Sequence, residues 1–130
     1  MSKKTKVLIV DDEKRFRNTM VKIFNKQGLA GKAVGGGDEA LEELATNKYD
    51  VVLLDVKMPG ISGVEVLKRM KKQGCKAEVI ILTGHASVDI ALEIMNHGAY
   101  DYLLKPCATE KILQKISMAY ERKLEKEKQT

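Results

Sequence analysis

The chain has 130 residues, 44% hydrophobic and 32% charged, with a formal net charge of +5. That length suits a single domain with a real core, and no apolar run approaches the ~18 residues of a transmembrane helix. The basic start Met1-Ser2-Lys3-Lys4-Thr5-Lys6 leads into only a short apolar stretch, too short for a signal peptide, so the expected location is cytoplasmic with no membrane partner.

The basic excess sits in Lys3, Lys4 and Lys6 and in Lys68, Arg69, Lys71 and Lys72. No aromatic residues interleave with those cations as a base-stacking platform requires, so direct nucleic-acid binding by this chain is not expected. Cys75 and Cys107 stand far apart, which favours neither a metal knot nor a disulfide framework.

Taken in order, Val7–Val10 reads as a strand ending in Asp11-Asp12. Helical spacing then places Phe16, Met20, Ile23 and Phe24 on one stripe, stopped by Gly28. Ala30–Val34 is a weaker strand, Gly35-Gly36-Gly37 a flexible turn, and Asp38 the expected N-cap of a helix reaching about Ala45. Val51–Leu54, four apolar residues bounded by Asp50 and Asp55, reads as a strand buried on both faces. Ser62 and Glu65 have capping-box spacing and open a helix carrying Val66, Leu67 and Met70, ended by Gly74.

Glu78–Leu82 is the next strand and runs into Thr83-Gly84. Ser87 is placed to cap a helix that buries Val88, Ala91, Leu92 and Met95 and stops at Gly98, with His97 at its exposed end. Tyr100–Leu104 is the fifth strand, followed by Lys105-Pro106. A last helix begins near Thr109, with Ile112, Ile116, Tyr120 and Leu124 on one face. The core then covers about residues 5–120 of one domain spanning 1–130, with 121–130 a charged helical tail or linker remnant. Five strands alternating with five helices predict an α/β fold with a parallel sheet covered on both faces.

In a parallel sheet every strand ends along one edge, and open α/β sheets bind ligands there. Asp11, Asp12, Asp55, Thr83 and Lys105 all fall at such ends. Two carboxylates ~4 Å apart repel by roughly 4 kcal/mol at an effective dielectric of ~20, so three in one crevice call for a cation. Oxygen ligands on a partly open site suit Mg²⁺, with Mn²⁺ as a substitute. With charge offset by a metal and Lys105, one carboxylate can attack phosphorus, and Asp55 is the best placed to do so.

These residues carry a resemblance. Val10-Asp11-Asp12-Glu13, Leu54-Asp55-Val56-Lys57-Met58-Pro59-Gly60 with Gly63, Leu82-Thr83-Gly84, and Gly98-Ala99-Tyr100-Asp101-Tyr102-Leu103-Leu104-Lys105-Pro106 together resemble the receiver domain of bacterial two-component response regulators. The likeness runs from Val7 to about Ala119. It implies a doubly wound, CheY-like and flavodoxin-like three-layer sandwich with strand order 2-1-3-4-5.

The same resemblance implies that Asp55 accepts a phosphoryl group from a sensor histidine kinase or a phosphotransfer protein. Mg²⁺ would be held by Asp12, Asp55 and the backbone carbonyl of Lys57, with Asp11 acting through a water. Lys105, before a cis proline bond, would pair with the phosphoryl group, and Thr83 would move toward it. Tyr102 would swing inward, relaying the change to the face formed by the fourth helix, fifth strand and fifth helix to control an output domain or partner. That face is also the one available to a homodimer, and the chain is expected to be either a stand-alone receiver or the receiver piece of a longer regulator with a C-terminal output domain. Lys57 and His85 occupy positions that tune phosphoryl lifetime, and Cys107 replaces a bulkier aromatic as a small apolar filler.

A receiver of this kind is not an enzyme toward other substrates; it catalyses only its own phosphorylation and dephosphorylation. Against a Mg²⁺-dependent phosphatase, the chain lacks an Asp-x-Asp nucleophile motif and room for a substrate cap. Against a degenerate receiver used only for contacts, the acidic residues, Thr83 and Lys105 are all present.

Overall fold

A computed structural model describes residues 3–84 and 87–129. Five strands, β1 (Lys6–Val10), β2 (Ala30–Val34), β3 (Val51–Leu54), β4 (Glu78–Thr83) and β5 (Asp101–Leu104), alternate with five helices. The helices are α1 (Lys14–Lys26), α2 (Gly37–Thr46), α3 (Gly63–Lys72), α4 (Val88–Asn96) and α5 (Thr109–Lys128). All strand pairs are parallel and the order is β2-β1-β3-β4-β5.

Successive side chains of a strand point to opposite faces, and the central strands use both. Leu8, Val10, Val52, Leu54, Val79 and Ile81 meet Ala40 and Leu41 of α2, Val66, Leu67 and Met70 of α3, and Ile94 of α4. Val7, Ile9, Val51, Leu53, Ile80 and Leu82 meet Met20 and Phe24 of α1 and Ile112, Ile116 and Ala119 of α5. Every residue of β3 is buried, and burial of each such side chain is worth roughly 1.5–3 kcal/mol. That double burial is why the strand appears in the sequence as an unbroken apolar run.

The expected helix stops hold: Gly28, Gly74 and Gly98 take φ of 81°, 79° and 92°, the left-handed region that favours glycine. Ser62 and Ser87 accept backbone N–H bonds from Glu65 at 3.2 Å and Ile90 at 3.1 Å, as N-caps should.

Four expectations need correction. Asp38 does not cap α2: Gly36 is the N-cap, and Asp38 and Glu39 lie in the first turn, where their charge favours the helix dipole. Gly37 is not part of a loose turn either: it is the first residue of α2, and a Cβ there would collide with Ile61 and, at 2.7 Å, with Val66 Cγ2. Finally, α4 turns a different face inward. Ile94 is fully buried and Ile90 packs beside it, while Val88, Leu92 and Met95 are 76%, 58% and 45% exposed. His97, the C-cap of α4, is half-buried rather than exposed.

The charged end of α5 remains helical to Lys128 and lies against the opposite edge of the sheet from the strand ends. Lys123 pairs with Asp50 at 3.3 Å. Lys126 Nζ lies 3.2 Å from both oxygens of the buried Glu78 carboxylate and donates a hydrogen bond to Oε1.

Candidate functional site

The crevice forms where the chain leaves β1 for β2 on one side and returns to β3 on the other, the reversal point at which open α/β sheets hold ligands. Val10 and Leu54 are register partners, and the Asp55 N–H donates to the Val10 carbonyl at 2.9 Å. Asp11 and Asp55 therefore emerge side by side. On the far side of β3, Thr83 pairs with Leu104, and the Lys105 N–H donates to the Thr83 carbonyl at 2.9 Å. Register alone thus brings four strand ends to one rim.

Side chains complete it. Asp11, Asp12 and Asp55 each offer an oxygen within 4.8 Å of the others. Asp11 and Asp55 are buried and Asp12 is exposed. Lys105 reaches across the rim to place Nζ 2.6 Å from Asp11 Oδ2. Asp11 Oδ1 accepts the Glu13 N–H at 2.9 Å, and the Lys57 N–H points at Asp55 Oδ1 at 3.4 Å. Four acidic residues, Glu13 among them, line the crevice against two lysines, Lys57 and Lys105, which leaves it negative. Hard oxygen donors this close, with one face open, fit a divalent cation of the magnesium type.

The crevice has a volume of about 520 Å³, walled by the acidic residues, Glu13, Lys57, Met58, Pro59, Gly84 and Lys105. Thr83 is not part of this wall; it is fully buried beneath it. Tyr102 lies elsewhere, half-buried, packing onto the core between the sheet and α2, α3 and α4. The Lys105-Pro106 bond is cis. Cys107 fills space against the α1 and α5 side of the core, in keeping with a small apolar filler. His85 lies outside the described residues.

Three residues gain a role at the site from the structure, of which Gly63 already stands in the motif that carries the resemblance. Arg17 Nη1 donates to the Asp11 carbonyl at 2.9 Å, tying α1 to the strand end. Gly63 lets the start of α3 lie against the residues after β3: a Cβ there would strike the Asp55 carbonyl oxygen and come within 2.7 Å of Val56 Cα. The Gly63 N–H donates to the Val56 carbonyl at 2.7 Å, fixing the loop that carries Asp55. Phe16 places its ring centroid 4.2 Å from Lys105 Nζ. Helical spacing marked Phe16 only as an apolar position, and nothing in the sequence shows that its neighbour is an ammonium.

Known proteins resemble this chain in sequence and fold. A family model described as the response regulator receiver domain matches residues 7–117. Sporulation initiation phosphotransferase F of Bacillus subtilis is 37% identical over 107 residues, 82% of this chain and 86% of that protein. Regulatory protein AtoC of Escherichia coli is 38% identical over 101 residues, 78% of this chain but only 22% of AtoC. A CheY-like receiver domain from Methanospirillum hungatei superposes with a TM-score of 0.92 at 25% identity, covering 95% of this chain and 99% of that one. TrrA of Thermotoga maritima, solved in complex with Mg(2+)-BeF, superposes at 0.80 with 30% identity, covering 88% and 98%. With its fold, its acidic crevice and these relatives in agreement, the chain belongs to the response regulator receiver domain family of two-component signalling.

Proposed function

We propose that Asp55 is the phosphoacceptor of this receiver. A carboxylate oxygen of Asp55 attacks the phosphorus of a phosphohistidine on a sensor kinase or phosphotransfer protein. The P–O bond forms, the P–N bond breaks, and its electron pair leaves with the imidazole. The observation that carries this reading is the joint placement of Asp55 with Asp11 and Asp12 in one crevice, with Lys105 at its rim. Asp12, Asp55 and the Lys57 carbonyl would hold Mg²⁺ or Mn²⁺, with Asp11 acting through a water. Bound there, the cation offsets the charge of the incoming phosphoryl oxygens. The Thermotoga relative with Mg(2+)-BeF supports this, since beryllium fluoride has the tetrahedral shape of a phosphoryl group.

Lys105 then exchanges Asp11 for a phosphoryl oxygen, and Thr83 donates a hydrogen bond to another. Reversing a 1:99 population to 99:1 takes about 5.5 kcal/mol of differential binding, within reach of a few charge-assisted hydrogen bonds. Tyr102, half-buried against the core, carries the change to the face of α4, β5 and α5. Exposed Val88, Leu92, Met95 and Leu104 make that face apolar, which suits a homodimer or an output domain. The chain spans only 22% of AtoC, so an output domain beyond residue 130 belongs to the same proposal. Lys57 and His85 tune phosphoryl lifetime, the core is residues 5–120, and the protein acts in the cytoplasm on no substrate beyond its phosphodonor.

Incubation with acetyl phosphate and Mg²⁺ tests the reading. A stoichiometric, base-labile adduct that Asp55→Asn abolishes is the expected result. Multiple turnover on an added phosphomonoester would make the chain a phosphatase instead.

A further inference from the structure

Lys105 reaches its acidic partner from the other side of the crevice, and an unbranched lysine on a rim has many other rotamers open to it. The Asp11 contact at 2.6 Å holds the ammonium only while that contact lasts, yet the proposed reaction requires Lys105 to leave Asp11. A second neighbour sits on the ammonium: the ring of Phe16, 4.2 Å from Nζ. Phe16 is in the first turn of α1, in line with Met20 and Phe24 at successive four-residue steps. Those two are buried in the core and anchor the helix below the ring. The Lys105 side chain is 24% exposed, so the cation faces the ring while partly shielded from water, where cation–π attraction is stronger.

We propose that Phe16 is a positioning residue for Lys105, a neutral seat that keeps the ammonium at the rim as it changes partner from Asp11 to the phosphoryl group. A ring face serves this task where a carboxylate would not. It attracts the cation without repelling an incoming anion, and it takes up none of the three N–H donors. An aliphatic residue would fill the same space but lacks the negative ring face. The inference rests on the reading of Asp55 as phosphoacceptor and Lys105 as its partner.

The test uses the full chain with acetyl phosphate and Mg²⁺, comparing wild type with Phe16→Leu, Phe16→Met and Phe16→Tyr. Leu and Met keep apolar volume on the stripe; Tyr restores the ring. In wild type and Phe16→Tyr, the Lys105 side-chain NMR signals are expected upfield from the ring current, and both aliphatic variants should lose that shift. Initial labelling of Asp55 should fall about three- to tenfold in Phe16→Leu and Phe16→Met, and Phe16→Tyr should stay within about twofold of wild type. If wild type is labelled and the aliphatic variants label as fast, or if all three variants slow alike, Phe16 has no positioning role while the phosphoacceptor reading stands. If wild type takes no label at Asp55, that reading falls and this inference falls with it.

Discussion

Lys105 Nζ lies 2.6 Å from Asp11 Oδ2, joining residues 94 positions apart across the mouth of the acidic crevice. The pair places a rim cation against a carboxylate that is 3% exposed, with Asp12 and Asp55 beside it. Lys105 therefore acts as a counterion of the acidic cluster. A divalent cation held there would compete for the same charge.

This gives the first prediction. Lys105→Met leaves Asp11 buried beside two like charges, so without divalent ions the variant should lose about 1–3 kcal/mol of unfolding free energy. Mg²⁺ should restore part of that loss and bind the variant more tightly than wild type. Urea unfolding with and without Mg²⁺, together with calorimetric titration, measures both. Equal stability and equal Mg²⁺ affinity would show that the ion pair does not balance the cluster.

Gly63 sets the second. The atoms a Cβ would meet are the Asp55 carbonyl oxygen and Val56 Cα, both backbone, so the clash cannot be relieved by a side-chain rotation. Gly63→Ala should cost about 2 kcal/mol or more and slow Asp55 labelling by displacing the loop. Gly37→Ala, whose obstacles are the side chains of Ile61 and Val66, should cost stability while leaving labelling close to wild type. Unfolding midpoints and labelling rates of the two variants separate these effects.

At the opposite edge of the sheet, Lys126 pairs with Glu78, whose side chain is 3% exposed. Lys126→Ala strands a buried carboxylate and should cost about 1–3 kcal/mol. Amide exchange over residues 121–128 should accelerate in that variant, because the pair ties the end of α5 to the sheet. Unchanged exchange would mean that the helix end holds without this pair.

The fourth prediction concerns pH. The Tyr49 hydroxyl donates to Glu43 Oε2 at 2.6 Å and, with Lys32 at 3.0 Å, holds the Glu43 carboxyl below its ordinary 4.5. Burial, then the Glu43 carboxylate, pushes the Tyr49 phenol up. A carboxyl whose folded pKa is lowered adds stability above its unfolded value and loses it as pH falls through the folded one. Tyr49→Phe should therefore cost about 1–2 kcal/mol near pH 7 and less at pH 3. A cost that does not change with pH would remove Glu43 as the partner that matters.

Much of this was legible in the sequence because the features are local. Val51–Leu54 is an unbroken apolar run bounded by two carboxylates, which reads as a strand buried on both faces. Gly28, Gly74 and Gly98 stop helices through a backbone angle that glycine alone takes easily. The strand-end residues Asp11, Asp55, Thr83 and Lys105 follow once the sheet is parallel. What escaped depends on neighbours distant in sequence. α4 has apolar residues on two faces, and only packing against the sheet selects Ile90 and Ile94 over Val88, Leu92 and Met95. Gly63 stands in the motif, but the reason for it, like that for Gly37, lies in atoms outside its own helix. Phe16 looks like core in any periodicity reading, and its ammonium neighbour comes from 89 residues later.

The central claim is that the phosphoryl group lands on Asp55. Borohydride reduction of the acetyl-phosphate-labelled protein converts an aspartyl phosphate to homoserine with release of phosphate, and peptide mapping then reads its position. The account predicts Mg²⁺-dependent homoserine at residue 55 in stoichiometric yield. Homoserine at Asp11 or Asp12 instead, or an unreduced Asp55 in fully labelled protein, would contradict it.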